Sequence, residues 1–398
     1  MGLKVSKKTL SWMVTLIIFI PFTFSNFFAR AELTTALEFI RIVIFFAFIL
    51  KNGLKKSDFS ILICVFLIYQ LSYLVPAIVY GNITLRIFYL WIKNTTITFA
   101  YMLIVQRYLM MDYQRTIKAL YYGFALVLVA HSILGITTDI LLIGIRTRFT
   151  DFYIPAITLL AVSIVGGMKS FSILDLIFCI ITAFFIFDQA ISTSLMILII
   201  FVAVILIGKN RFIMSNLEKI FQYPVMVLSA LILNVSILVF RIQNIFAYVI
   251  ENILHESLSM TGRTTIWDQT FAALYTHNIF LGAGIQPEGS KDIHFHLYNV
   301  WGDNLLTDRQ AHNQLLSVFF FNGVIGLIAY IAMIFIAGTK LKSLSNRSVA
   351  FFYVLGIFLI CLSMITELSA DGAVFLGFLL CIYYSYLLNN EEDVENEY

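Results

Sequence analysis

Long apolar segments, several of them without a single charged residue, constrain the fold of this chain more than any other feature. The segment LSWMVTLIIFIPFTFSNFF at 10–28 is one example. A helix of about 20 mostly apolar residues is long enough to cross the hydrocarbon core of a bilayer. Only 12% of the residues are charged, whereas soluble domains carry about 25%. The sequence therefore predicts an all-α polytopic membrane protein and offers no basic surface for nucleic acid.

The apolar segments predict about 12 transmembrane helices. They lie at 10–28, 33–50, 59–80, 95–111, 117–137, 152–168, 171–187, 190–208, 222–245, 311–338, 348–365 and 369–388. Because the number is even, we expect both termini on the same side of the membrane.

The distribution of Lys and Arg predicts the orientation. Sixteen of the 26 basic residues fall in alternate short loops or at the N-terminus: Lys4, Lys7, Lys8, Lys51, Lys55, Lys56, Arg107, Arg115, Lys118, Lys169, Lys209, Arg211, Lys219, Lys340, Lys342 and Arg347. Short loops rich in Lys and Arg face the cytoplasm. We therefore predict a multi-pass protein of the cytoplasmic (inner) membrane with both termini cytoplasmic.

One predicted outer loop is much longer than the others, at 246–310. Loops of this length in compact proteins are usually functional or disordered, and its aromatic residues argue against disorder. Residues 264–280 predict a helix with Trp267, Phe271 and Leu274 on one face, ending at the glycines of LGAGIQPEG. We infer a folded cap and four regions: membrane helices 1–9 (1–245), the cap loop (246–310), membrane helices 10–12 (311–390) and an acidic cytoplasmic tail (391–398).

The helix after the cap begins with polar residues. Thr307 and Gln310 have the spacing of a capping box, which predicts a helix start with His312 and Asn313 in its first turns. Backbone N–H groups at a helix N-terminus favour anions. A neutral imidazole can also take a proton from a hydroxyl. His312 is therefore the candidate catalytic residue.

Arginines on the predicted outer side are candidates for binding phosphate. Arg263 lies at the head of the cap helix, and Arg146 and Arg148 lie in IRTRF at 145–149. Guanidinium groups fit phosphate oxygens bidentately, although arginines at span ends also anchor to lipid headgroups. For Arg146 and Arg148 both interpretations remain open. His294 and His296 have an unspecific metal-ligand spacing, and no metal site is predicted.

Three segments resemble a known family. They are GRTTIW (262–267), HNIFLGAGI (277–285) and AHNQLLSVFFFNGVIGL (311–327). An Arg and a Trp in a loop helix, a Gly-x-Gly turn and a His-Asn pair heading a helix occur in this order in the O-antigen ligase/polymerase family of bacterial membrane glycosyltransferases. The detailed resemblance covers about 70 residues. Each segment alone is a weak signal, and the set in this order is more specific.

The resemblance implies a metal-independent glycosyltransferase without a cofactor. Its donor would be an oligosaccharide linked to undecaprenyl diphosphate, and its acceptor another glycan. His312 would activate the acceptor hydroxyl, and Arg263 would bind the donor diphosphate. We assign Asn313 and Trp267 to substrate binding as well. A chain-length regulator and a flippase are the implied protein partners.

The sequence departs from the family at one position. Ligases carry an Arg at the start of the eighth span, where Thr193 stands in DQAISTSLMIL at 188–198, so Arg146 or Arg148 would have to supply this charge. The departure favours an O-antigen or capsular polysaccharide polymerase. A ligase that transfers the glycan to lipid A-core is the alternative. A lipid-linked saccharide flippase is less favoured because we find no paired repeat.

Overall fold

The structure, a computed structural model, describes residues 18–19, 31–138, 149–189, 191–208, 216–217, 219–253, 258, 263–275, 278–284, 295–297, 306–308, 311–365 and 372–389. The helices in this part of the chain are α1 (Ala31–Asn52), α2 (Ile61–Val79), α3 (Leu85–Met111), α4 (Tyr113–Thr138), α5 (Phe149–Val165), α6 (Ile173–Asp188), α7 (Ser192–Gly208), α8 (Tyr223–Phe240), α9 (Arg263–Leu274), α10 (Gln314–Ala337), α11 (Arg347–Ser363) and α12 (Ala373–Tyr383). Two short strands, β1 (Phe295–Leu297) and β2 (Leu306–Asp308), pair antiparallel.

Helices occupy every predicted span from the second to the twelfth, whereas the first span lies outside the described residues except for 18–19. The largest difference is at α3, which begins ten residues before the predicted span at 95. The Thr84 side chain accepts a hydrogen bond from the Ile87 amide at 3.2 Å and starts the helix there. Charged residues in the first turns of α3 lower the hydropathy there, so the apolar pattern predicted a later start of the helix. The first turns of α3 are therefore helical although they lie outside the apolar segment.

Five helices of the described chain are long and apolar enough to cross a membrane: Ile61–Val79, Leu85–Met111, Tyr113–Thr138, Tyr223–Phe240 and Gln314–Ser343. Large apolar side chains also point outward, both on these helices and on shorter ones. Phe184 on α6 is 59% exposed and Ile232 on α8 is 56% exposed, which suits a lipid environment. The chain is a multi-pass helical membrane protein, and the number of twelve spans stays a prediction.

Helix α10 lies inside the bundle, packed along α2 and flanked by α8 and α12. One end of α10 and the C-terminal end of α8 meet the short helix α9. The contact is an apolar cluster, here called the cap cluster, formed by Leu238, Trp267, Leu274, Ala283, Ala311, Leu316 and Phe320. This cluster positions the sequence segments in which the candidate site residues lie.

Candidate active site

Helix α10 is broken at Gly323, where the backbone has φ 63° and ψ −167°. A segment that follows α9, residues 278–284, fills the break. The amides of Ala283 and Gly284 donate to the carbonyl oxygens of Phe320 and Phe321 at 2.7 and 2.8 Å, and the Val324 amide donates to the Ile279 carbonyl at 3.1 Å. Backbone groups freed by a broken membrane helix must find partners inside the protein. Here the cap supplies them.

Only glycine fits at this contact. A Cβ atom on Gly282 would lie 2.5 Å from the backbone nitrogen of Gly323, and one on Gly323 would lie 2.2 Å from the Phe280 carbonyl oxygen. Both residues have positive φ, which glycine adopts without steric cost. The sequence predicted a tight turn at Gly282 and Gly284, and their positive φ values of 74° and 70° confirm it.

Tyr80 joins α2 to the same segment. Its hydroxyl accepts a hydrogen bond from the Asn278 amide at 3.1 Å and donates to the Gly282 carbonyl at 3.0 Å. The Cβ position of Gly284 lies 2.8 Å from Pro76 Cβ. The segment is therefore held between α2 and α10.

The start of α10 differs from the prediction. Thr307 lies in strand β2, and the helix begins at Gln314, with Asn313 as its N-cap. The Asn313 Oδ1 atom accepts a hydrogen bond from the Leu316 amide at 3.0 Å. The capping box at Thr307 and Gln310 was wrong because Asn313 supplies an equally good cap six residues later and β2 pairs with β1.

Asn313 is fully buried and also ties α10 to its neighbours. Its Nδ2 atom donates to Asn234 Oδ1 on α8 at 2.9 Å and to the Ile365 carbonyl at 3.2 Å. The next amide, that of Gln314, donates to the Met364 carbonyl at 3.0 Å. Because these hydrogen bonds hold Asn313 in place, they also restrict the position of His312, the residue before it.

His312 stands immediately before the N-cap in an uncommon conformation. Its φ is +47°, a region that few non-glycine residues occupy and that histidine enters more readily than most. Its two neighbours, Ala311 and Asn313, are buried, whereas His312 itself is partly exposed. Buried residues on both sides therefore hold the imidazole at the surface of the cap cluster, next to the start of α10.

Helix α9 spans Arg263–Leu274, close to the prediction at its start and six residues shorter at its end. The chain turns at Asn278 instead, where the carbonyl accepts from the Gly282 amide at 2.7 Å. Trp267 and Leu274 are buried and Phe271 packs beside them, which confirms the predicted apolar face. Arg263 is the first residue of the helix, and a helix N-terminus favours anions.

The Trp267 side chain is 0% exposed. Its ring therefore supports the site from inside the cap cluster and offers no open surface to a sugar.

Arg146 and Arg148 lie outside the described residues. The segment that follows them is described: the hydroxyls of Thr150 on α5 and Ser194 on α7 lie 2.8 Å apart. Helix α5 therefore starts beside the first turn of α7, which contains Thr193.

Three residues near the site were given no role from the sequence: Tyr80, Asn234 and Arg241. Arg241 ends α8 and lies over the Trp267 ring, with 5.0 Å between the guanidinium carbon and the ring centroid. Its charge at the end of a predicted span was visible, but it could not be told from a lipid anchor. Tyr80 and Asn234 carry no local signal, because their partners lie far away in the sequence.

No cluster of three or more His, Cys, Asp or Glu side chains that could hold a metal ion occurs in the described part of the chain. The four cysteines are free thiols. Arginine side chains lie near the site, and guanidinium groups can bind anions without a metal ion. The arrangement offers one imidazole, an arginine at a helix N-terminus and a buried apolar support.

Comparison with known proteins agrees with these observations. The family described as O-antigen ligase matches residues 155–331, a range that includes α9, the segment at 278–284, His312 and the break in α10. Members of this family are glycosyltransferase-like enzymes that act on lipid-linked glycans. No curated protein and no solved structure is significantly similar to the chain. The resemblance of the three segments is confirmed, since all three lie within the residues that match the family described as O-antigen ligase.

Proposed function

We propose that the protein is an O-antigen or capsular polysaccharide polymerase of the cytoplasmic membrane. It transfers a glycan from undecaprenyl diphosphate to a sugar hydroxyl of a second lipid-linked repeat unit on the outer face. The observation that carries the proposal is the position of His312. The His312 backbone has a φ of +47° and lies beside the cap cluster. Arg263 is the first residue of the helix that packs on that cluster.

The chemistry follows from these two side chains. The acceptor hydroxyl gives its proton to the His312 imidazole and forms the new bond to the anomeric carbon of the donor. The bond between that carbon and the diphosphate oxygen breaks at the same centre. Undecaprenyl diphosphate leaves with the electron pair, and Arg263 stabilises the growing negative charge. The reaction needs no metal in this scheme because guanidinium groups offset the charge.

Arg146 and Arg148 are the candidates for a further phosphate contact. The Thr150–Ser194 hydrogen bond supports this, since it brings the start of α5 next to Thr193, where ligases of the family carry an arginine. A double Arg146→Gln, Arg148→Gln variant should therefore lose activity. Unchanged product from that variant would remove both residues from the proposed site.

A ligase that transfers the glycan to lipid A-core is the second candidate, favoured by the description of the matching family as O-antigen ligase. The departure at Thr193 favours the polymerase. Either enzyme would work beside a flippase that delivers the donor, and a polymerase would also work beside a chain-length regulator. A saccharide transporter would be expected to show paired repeats, and the sequence shows none; the informative residues cluster in and beside the cap instead.

The polysaccharide of a deletion strain separates the two enzymes. Without a polymerase, the long ladder disappears and a single repeat unit remains attached to the acceptor. Without a ligase, all attached units disappear and lipid-linked polymer accumulates. A normal ladder in the deletion strain would exclude both functions.

A further inference from the structure

Two non-glycine residues in the described chain have positive φ: His312 at 47° and Arg241 at 52°. Both border the cap cluster. Arg241 follows Leu238 by three residues at the end of α8, and His312 is next to Ala311. Strained backbone of this kind concentrates at functional sites, where the surrounding structure holds it in place. At Arg241 the left-handed backbone closes the C-terminal end of α8, where the Arg241 amide donates to the Ser236 carbonyl, so the evidence for a function lies in its side chain.

The contacts of Arg241 fix the plane of its guanidinium group. The Nη2 atom donates to Asp268 Oδ1 at 2.5 Å and to the Thr264 carbonyl at 3.2 Å. The guanidinium carbon lies 5.0 Å from the centre of the Trp267 ring, a favourable cation–π distance. All of these contacts are with α9, and none of them uses Nη1.

The Nη1 atom of Arg241 is buried and has no hydrogen-bond partner among the described residues. The same holds for Trp267 Nε1 directly beneath it and for Asn234 Nδ2. Asn234 and Leu238 share one face of α8, which ends at Phe240 just before Arg241. A buried donor without a partner is costly. The Arg241 Nη1 atom is the charged donor among them, and an anion is the partner that a guanidinium donor binds most strongly.

We propose that Arg241 is a second cationic ligand of the donor diphosphate and that it binds a phosphate oxygen through Nη1. The inference rests on the proposed function and names a residue to which the sequence gave no role. Arg241 contacts the carbonyl of Thr264, the residue after Arg263, so both arginines lie at the N-terminal end of α9. Two guanidinium groups there match the two phosphates of a polyprenyl diphosphate.

A purely structural role, as a latch that holds α9 to α8, would use the Asp268 contact. That ion pair is weak because the Asp268 side chain is 72% exposed, and exposed pairs contribute little. Asp268 orients the guanidinium through Nη2 and leaves Nη1 without a hydrogen-bond partner among the described residues. The two roles therefore predict different effects of removing the Asp268 carboxylate. A latch would be lost, whereas a phosphate ligand would keep its guanidinium group.

The test measures binding of undecaprenyl diphosphate and of undecaprenyl monophosphate to the full-length protein in lipid nanodiscs. Arg241→Gln should weaken diphosphate binding roughly 10–100-fold, the range for loss of a charged hydrogen bond, and monophosphate binding much less. Asp268→Asn should weaken it less than about threefold, since the guanidinium remains. Arg86→Gln, which removes an equal charge from the exposed first turn of α3, controls for net charge.

Each outcome decides the proposal. Wild-type affinity in Arg241→Gln overturns it and leaves the proposed function intact. Equal losses in Arg241→Gln and Asp268→Asn identify a latch and also overturn it. Failure of the unaltered protein to bind undecaprenyl diphosphate overturns the proposal together with the proposed function. If Arg241→Gln cannot be purified, Arg241→Lys takes its place: a lower preference for diphosphate over monophosphate supports the proposal, and an unchanged preference overturns it.

Discussion

The side-chain amide of Asn313 donates a hydrogen bond to Asn234 Oδ1 at 2.9 Å, and this bond ties the N-cap of α10 to the middle of α8. The same side chain accepts from the Leu316 amide. Asn313 thus combines a helix cap with a clamp between helices. His312, the residue before it, is held by the clamp.

Replacing Asn313 should separate the two roles. Asn313→Ser keeps the cap and loses the clamp, so we expect a loss of stability of about 1 kcal/mol. Asn313→Asp also keeps the cap but turns a carboxylate oxygen toward Asn234 Oδ1 and the Ile365 carbonyl, and it should destabilise more. The measurement is the thermal midpoint in detergent, together with polymer formation.

Asn346, the N-cap of α11, provides the matched control. Its side chain accepts from the Val349 amide at 3.2 Å, donates to the Val165 carbonyl only at 3.4 Å on the exposed surface, and is partly exposed. Asn346→Asp should therefore be nearly neutral, since the carboxylate can remain hydrated and favours a helix N-terminus. If Asn313→Asp is tolerated as well as Asn346→Asp, Asn313 acts only as a cap.

The docking of the cap segment into the break of α10 leads to a second prediction. Gly323→Ala should abolish activity and lower the thermal midpoint, because its Cβ would collide with the Phe280 backbone. Gly53→Ala is the control, since Gly53 also has positive φ but nothing lies within 4 Å of its Cβ position. It should cost only about 1–2 kcal/mol for the left-handed backbone. Equal effects of the two changes would mean that docking is unimportant.

Arg263→Lys should lose most activity while the protein remains in the membrane. Lysine keeps the charge, but it lacks the fork that binds two phosphate oxygens. The comparison is polymer length in a strain that carries only the variant, with Arg86→Lys as the control. Normal chain lengths with Arg263→Lys would show that a point charge is sufficient at this position.

The membrane helices and the apolar face of α9 could be predicted because their signals are local. Runs of apolar residues determine α2, α4 and α10, and the spacing of Trp267, Phe271 and Leu274 determines which face of α9 is buried. The helix start at Asn313 was missed for a related reason. Two acceptable caps lie six residues apart, and Thr307 is taken out of the helix because β2 pairs with β1, where its partner is His296, eleven positions away.

The break at Gly323 and the role of Tyr80 could not be predicted. The sequence GVIG reads as a surface for close helix packing, and this holds for Gly326, whose Cβ position lies 2.5 Å from Ser72 Oγ. The opening at Gly323 depends on a segment some forty residues away that supplies its hydrogen bonds. Such contacts follow from tertiary structure and leave no pattern in a single sequence.

Topology provides a further test. Reporter fusions at Lys55, Lys209 and Lys342 should report a cytoplasmic location, and a fusion near Lys291 an external one, because the basic residues occupy alternate loops. The readout is a pair of reporters, a phosphatase that is active only outside the cytoplasm and a fluorescent protein that reports the cytoplasm. A cytoplasmic signal near Lys291 would contradict the assignment of the cap to the outer face.

The most direct test of the mechanism concerns His312. His312→Ala should reduce turnover about 10²–10⁴-fold, the usual effect of losing a general base, without loss of donor binding. The assay uses purified enzyme and undecaprenyl-diphosphate-linked repeat units, with product size read on a gel. Affinity for the donor is measured separately, so that binding and chemistry are distinguished.

The positive φ of His312 requires a second variant. Alanine at φ +47° is strained, so a loss of activity in His312→Ala has two explanations. Asparagine adopts this conformation readily but cannot take up the proton, so His312→Asn should be as stable as the unaltered protein and as inactive as His312→Ala. His312→Gln keeps a donor and an acceptor and should also be inactive. Near-normal turnover by His312→Asn would assign His312 a backbone role, because the left-handed conformation would then be all that the site requires of this residue.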